Sequence, residues 1–414
     1  MEKYRDIMGR INYGVFLAAV ALLPFPQIAL RYAIVIWGIT WLLEGRWLGK
    51  PSFHIDRSTS SIQLPFLLFG VWLAWKALSG LWVVDQGAWA WQMERYLTFA
   101  CIIPIGIWGV NDRYDWRTAG KVLAWSCVVA TPVYAVLMTT LHYHREIIDL
   151  LQWKADWDYS GTDWYTFVTT NISCVKHRLF LCSVALTGVV MAVQVWREQK
   201  LKLAILLPVM LAIIPLTGSR QSIVTGMVLL VIAVIYALPQ KHRLRYGIAV
   251  VLCGALLGGG LLKFHPRMYE GNESDTIRRD VWTLALQQPS DYLLTGLGAG
   301  QSTSYLVERY HEAGLEQYAK KRIHVHNQYM EELIEIGVFG LLLFVLAWIA
   351  VPLCSKGKGH RTAVMLTTIF MLNMLTDCMF GTFDGIALWA AGMILVLVQE
   401  RNSTDAQSPP SRIA

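Results

Sequence analysis

The feature that most limits this chain is a succession of long apolar runs, each about 15–22 residues. They fall near 11–28, 31–45, 62–79, 94–110, 119–141, 178–196, 201–217, 222–239, 246–263, 333–353, 362–380 and 385–399. Runs of that length match the hydrocarbon thickness of a bilayer when coiled as helices. Inside lipid a backbone must satisfy its own N–H and C=O groups, which leaves helices as the simplest spanning element. Charged residues make up only 16% of the chain, against about 25% in a typical soluble protein. The expectation is an all-α polytopic membrane protein with about twelve transmembrane helices, numbered 1–400 as one transmembrane domain. The polar end, 401–414, reads as a disordered cytoplasmic tail.

The net charge of +7 would suggest nucleic acid in a soluble chain. Here basic loops serve topology instead, so no nucleic-acid partner is expected. Seven cysteines are present with no CxxC pair, which argues against a disulfide framework or a structural zinc site. The charged start, Met1–Arg10, leads into an apolar run without a small-residue cleavage site, so the first span is read as uncleaved.

Lysine and arginine are distributed unevenly. On one side of the predicted membrane they come about three to a short loop, as in Lys3, Arg5 and Arg10, or Arg113, Arg117 and Lys121, or Arg197, Lys200 and Lys202. That regularity places both termini in the cytoplasm. The long loop near 264–332 lies on the other face and carries Arg267, Arg278, Arg279, Arg309, Lys320, Lys321 and Arg322. A lone Arg220 sits in "LTGSRQS", the tight turn between two spans. A solvated surface residue is the plain reading for any one of these, but a single charge between adjacent spans is more often functional.

Three motifs on the outer face carry possible chemistry. "HVHNQYMEELIEIGVFG" runs from His324 to Gly340 and passes from polar loop into apolar helix. If that helix is continuous, His326 stands above a stripe containing Gly337 and Gly340, where a second helix would pack closely. His326 is then either a capping histidine or a general base. "SDTIRRDVW" supplies Arg278 and Arg279 with Trp282 one turn on, and Arg220 is the third element. Guanidinium groups bind phosphate through paired hydrogen bonds, so arginines plus one histidine suggest a phosphate-bearing ligand and a proton transfer. "GLGAG", Gly296–Gly300, follows no Rossmann strand and reads as a turn returning to the membrane. Asp156 and Asp158 form a weak DxD pattern, and His324 with His326 lacks an evident third metal ligand.

These residues resemble the bacterial O-antigen ligase family, whose domain is shared with O-antigen polymerases and protein O-oligosaccharyltransferases. The likeness rests on His-Asn followed by Gly-x-x-Gly, on "TGSRQS", and on R-x-x-x-W before "GLGAG", and covers roughly 200–345. It implies C-type glycosyltransferase architecture with a helical periplasmic cap. The implied reaction moves O-antigen from undecaprenyl diphosphate to lipid A–core in the bacterial inner membrane, with inversion and with neither cofactor nor metal. Carried onto this chain, Arg220 and Arg278 bind diphosphate and His326 activates the acceptor. Arg279, Asn327, Arg322, His324 and Lys321 are further substrate-binding candidates. The double arginine, where the family pattern has one, leaves open which of the pair is essential. A polymerase, a protein O-oligosaccharyltransferase and a lipid-linked sugar transporter remain alternatives. The transporter is disfavoured because charge is expected to collect on one face, with little inside the spans.

Overall fold

The computed structural model describes residues 2–49, 63–150, 157, 163–239, 241, 247, 248, 252, 256 and 273–405. Its helices of more than ten residues are, in chain order, α1 (Glu2–Leu22), α2 (Gln27–Glu44), α3 (Gln63–Leu78), α4 (Gln86–Trp108), α5 (Trp116–Tyr143), α6 (Trp164–Val175), α7 (Arg178–Val195), α8 (Lys200–Leu211), α9 (Arg220–Ala237), α10 (Glu273–Ala285), α11 (Ser302–Glu312), α12 (Gln328–Leu353), α13 (Gly357–Asn373) and α14 (Phe383–Asp405). The described residues contain no strand, and the chain is an all-α polytopic membrane protein.

Seven of the described helices are long and apolar enough to cross a membrane: Gln63–Leu81, Trp116–Tyr143, Arg178–Val195, Lys200–Thr217, Arg220–Ala237, Gln328–Leu353 and Phe383–Arg401. Each overlays an expected span. Helices α1, α2, α4 and α13 overlay four more, but carry charged or polar residues such as Asp6, Arg10, Arg31, Glu94, Arg95 and Arg361. α1 ends before Pro24 and Pro26, which cannot supply the N–H groups a longer helix needs. The expected span at 246–263 falls almost wholly outside the described residues, as do Asp156, Asp158 and Arg267. α14 continues to Asp405, through the first residues assigned to the tail; 406–414 lie outside the described residues.

The chain falls into two compact units. The first comprises Met1–Tyr13, Ile34–Tyr114 and Gly271–Ala414; the second comprises Gly14–Ala33 and Asp115–Glu270. The core of the first is aromatic. Phe69, Trp72, Phe99, Phe344, Trp348, Phe380 and Trp389 are buried, and their rings meet mostly edge to face at centroid separations such as 5.5 Å for Phe69–Trp348 and 4.8 Å for Phe99–Phe380. That geometry sets a positive ring edge against a negative face.

α12 is not continuous. Gly337 adopts φ 67° and ψ −176°, so two helical halves meet at a break. In an unbroken helix Val338 N–H would bond the Ile334 carbonyl and Phe339 N–H that of Glu335. Instead Leu297 N–H donates to Ile334 O at 2.9 Å and Gly298 N–H to Glu335 O at 2.8 Å, while Val338 N–H donates to Leu293 O at 2.7 Å. Trp75 Nε1 donates to Ile336 O at 3.0 Å. The "GLGAG" turn is therefore docked against the broken helix, completing its backbone hydrogen bonds. A methyl group at Gly337 would overlap the Leu294 carbonyl, and one at Gly296 the Glu335 carbonyl. This corrects the expectation of a continuous helix whose glycine stripe receives a second helix. Gly337 instead permits the break and the close approach of a loop.

A second correction concerns charge inside the spans. Lys76 is fully buried and lies 2.8 Å from Glu335 and 3.1 Å from Glu332. Trp72 Nε1 donates to Glu332 at 2.8 Å, Tyr96 OH lies 3.2 Å from Lys76, and Ser302 Oγ donates to Glu335 at 3.0 Å. Gln328 Nε2 spans Glu331 at 2.9 Å and Glu332 at 2.8 Å. The first half of α12 is thus tied to α3 by a closed polar network in the unit's interior. One partner removed would leave a buried charge uncompensated.

Candidate active site

The loop preceding α12 is held from three directions. Trp282 sits one turn after Arg278 on α10, and its indole donates to Val325 O at 2.8 Å. The R-x-x-x-W spacing therefore turns Arg278 and the loop anchor toward one side of a helix. Asn327 caps α12, its Oδ1 accepting from Met330 N–H at 3.1 Å, and its Nδ2 donates to Leu375 O at 3.2 Å. Gln328 N–H donates to Met374 O at 2.9 Å, Phe380 N–H to Gln328 Oε1 at 2.7 Å, and Tyr329 OH to Met371 O at 2.9 Å. The segment 371–380 is thereby stitched to the loop that carries His326.

From the remaining side come α10, α11 and Glu316–Lys320, packed around buried Val281, Leu284, Tyr292, Tyr305, Leu306, Tyr310 and Val325. Tyr310 OH donates to Ile323 O at 2.9 Å and Tyr292 OH to Ala285 O at 2.6 Å. Burial pushes the Tyr305 hydroxyl up to about 12 and raises Tyr310 as well, so both stay neutral at physiological pH.

The stitching brings His324, His326 and Asp377 together. His326 Nδ1 lies 3.8 Å from Asp377 Oδ1; it is buried and makes no hydrogen bond. The rings of His324 and His326 are 3.7 Å apart between centroids. His326 N–H donates to His324 Nδ1 at 3.2 Å, and Asp377 Oδ1 accepts from Cys378 N–H at 2.8 Å. His326 and Arg322 hold positive φ, 49° and 46°, and they are the described non-glycine residues that do so. Such backbone persists where surroundings impose it, often at functional sites. Asp377 is the residue that sequence reasoning missed. It lies 51 positions after His326 by number, and only the return of the chain from α13 reveals the pairing. It also supplies the third possible metal ligand that the histidine pair lacked in sequence.

The arginine pair divides by exposure. Arg278 is about a quarter exposed, its Nη1 3.6 Å from Asp275, and its Nε is buried without a hydrogen bond; Arg279 is 76% exposed with Asp280 at 3.9 Å. Lys321 and Arg322 are exposed, and Arg322 Nη2 lies 3.5 Å from Ser304 Oγ. Asn327 uses its amide for the cap and the staple described above.

Arg220 belongs to the second unit. Its turn is set by Gly218, which ends the short helix Ile213–Thr217 at φ 59°, and a methyl group there would crowd Thr169 at 2.9 Å. Ser219 Oγ and Ser222 Oγ are 2.7 Å apart, and Thr217 Oγ1 lies 3.1 Å from Cys182 Sγ. The sequence T-G-S-R thus makes a left-handed turn and a serine-lined helix start that presents Arg220 as the first residue of α9.

Among curated proteins none matches the chain. Residues 203–345, which include Arg220, Arg278, Arg279 and His326, match the family model described as O-antigen ligase, and this stretch of a multi-pass membrane protein is an O-antigen ligase family domain.

Proposed function

We propose that the protein is an inner-membrane glycosyltransferase that joins undecaprenyl-diphosphate-linked O-antigen to lipid A–core on the periplasmic face, inverting and without metal. The observation that carries this reading is the ligase-domain match, together with a loop histidine whose Nδ1 faces Asp377 at 3.8 Å. An imidazole whose Nδ1–H is directed at a carboxylate keeps Nε2 as its acceptor nitrogen. Nε2 of His326 then takes the proton of the acceptor hydroxyl, whose oxygen attacks the anomeric carbon. The bond from that carbon to the diphosphate oxygen breaks, and the electron pair leaves with the diphosphate. Base assistance of this kind is worth roughly a hundred- to ten-thousandfold.

Arg278 and Arg220 meet the charge that grows on the leaving group. One fixed donor aimed at such charge contributes roughly 2.7–4 kcal/mol. Arg278 is favoured over Arg279 by its burial and by the link from Trp282 to Val325. The part given to Arg220 rests on its turn and its place within 203–345. Arg279, Arg322, Lys321 and His324 line the outer approach as substrate contacts. The partners are the lipid-linked polysaccharide, lipid A–core and membrane lipids.

Buried charge and a broken helix are also features of transporters. Here Lys76, Glu332 and Glu335 satisfy one another and the break is filled by the 293–298 turn, so neither lines a path. A deletion strain separates the readings. A ligase mutant makes core-only lipopolysaccharide while lipid-linked polymer accumulates. A polymerase mutant adds single repeat units, and loss of a protein O-oligosaccharyltransferase leaves lipopolysaccharide normal. For a transporter, the purified protein fails to transfer sugar at all.

A further inference from the structure

His324, His326 and Asp377 offer two imidazole nitrogens and a carboxylate oxygen that all lie within 4.8 Å of one another. Two histidines and a carboxylate are a ligand set for zinc and similar borderline metals, not for magnesium or calcium, which take oxygen. A tetrahedral ion at 2.0–2.1 Å from each atom would hold them about 3.3 Å apart. The observed separation from His326 Nδ1 to Asp377 Oδ1 is 3.8 Å, so small side-chain rotations close the set. His326 holds a positive φ, its ring centroid lies 3.7 Å from that of His324, and its Nδ1 makes no competing hydrogen bond.

We infer that this cluster is an inhibitory site for a divalent transition metal of the zinc class. Three protein ligands leave a fourth position for water. The lone pair of His326 Nδ1 goes to the metal, and the single proton of the neutral ring then resides on Nε2. Asp377 turns from the ring to the ion. Nε2 becomes a donor and cannot take the acceptor's proton, so the filled site is silent in transfer. The inhibitory consequence rests on the proposed role of His326 as base; metal binding itself does not.

The test uses the full-length protein in detergent, stripped with chelator and then titrated with Zn²⁺. Retained metal is measured directly, and transfer is measured in parallel. The expected result is one Zn²⁺ per chain, with X-ray absorption reporting nitrogen and oxygen ligands. His324→Ala and Asp377→Ala each weaken binding at least tenfold, and the triple substitution with His326→Ala abolishes it. Transfer by wild type falls as the site fills and recovers with chelator, and Mg²⁺ has neither effect. If wild type retains no more Zn²⁺ than the triple variant, the site does not exist. If Zn²⁺ binds stoichiometrically but transfer continues unchanged, the site stands and His326 is not the base.

Discussion

Gly337→Ala is the sharpest perturbation of the fold. The glycine holds φ 67° and ψ −176°, a combination closed to other residues at a cost of about 1–3 kcal/mol. The added methyl group overlaps the Leu294 carbonyl, so the 293–298 turn must move away. Three backbone bonds then go, from Leu297 to Ile334, Gly298 to Glu335 and Val338 to Leu293. At about 0.5–1.5 kcal/mol each, and with the backbone strain of about 1–3 kcal/mol added, the total loss is roughly 2.5–7.5 kcal/mol. That is a large part of the stability of an ordinary domain, and the variant should melt at a much lower temperature or fail to accumulate. Gly14→Ala is the control: nothing lies within 4 Å of a methyl group there, and the residue is inside a helix. Thermal unfolding in detergent, followed by tryptophan fluorescence, compares the three proteins. If Gly337→Ala and Gly14→Ala both melt with wild type, the break in α12 does not depend on its glycine.

Lys76→Met should cost about 3–5 kcal/mol, because Glu332 and Glu335 lose their buried counter-charge; adding Glu332→Gln and Glu335→Gln should recover much of it in the same melting assay. Asp377→Ala should lower the transfer rate while donor affinity stays near that of wild type, and equal losses of both would place Asp377 in the donor site. Activity should survive thorough chelation, because the proposed mechanism sets guanidinium groups rather than a metal ion against the diphosphate; loss restored by Mg²⁺ or Mn²⁺ would refute this. Reporter fusions at Lys241 and Glu312 should report cytoplasm and periplasm respectively, and cytoplasmic activity from the Glu312 fusion would overturn the proposed mechanism.

The seven long apolar helices were legible because bilayer thickness fixes run length, and the turn before Arg220 because T-G-S-R interrupts two such runs. The His326 loop was legible as a change from polar to apolar. The break at Gly337 was not, since "IEIGVFGLLLF" reads as uninterrupted helix and the turn that completes its hydrogen bonds lies some forty residues earlier. Lys76 was hidden within "FGVWLAWKAL" for a similar reason. A lone lysine in an apolar run gives no sign that two glutamates on another helix await it. Asp377 likewise acquires meaning only when α13 returns its end to the loop. What escaped the sequence is long-range polar pairing, which has no local period.

The central claim divides the site into cations that hold diphosphate and a histidine that serves the acceptor. Purified wild type, Arg220→Ala, Arg278→Ala and His326→Ala, each shown to insert and accumulate, are compared for donor affinity and for transfer from lipid-linked glycan to lipid A–core. The arginine variants should lose donor affinity, with lysine rescuing only partly because it lacks the planar fork. His326→Ala should bind donor normally and transfer a hundredfold or more slowly, in line with the roughly hundred- to ten-thousandfold contribution of a general base. Transfer by His326→Ala at the wild-type rate, or loss of its donor affinity as severe as that of Arg220→Ala, would contradict the account.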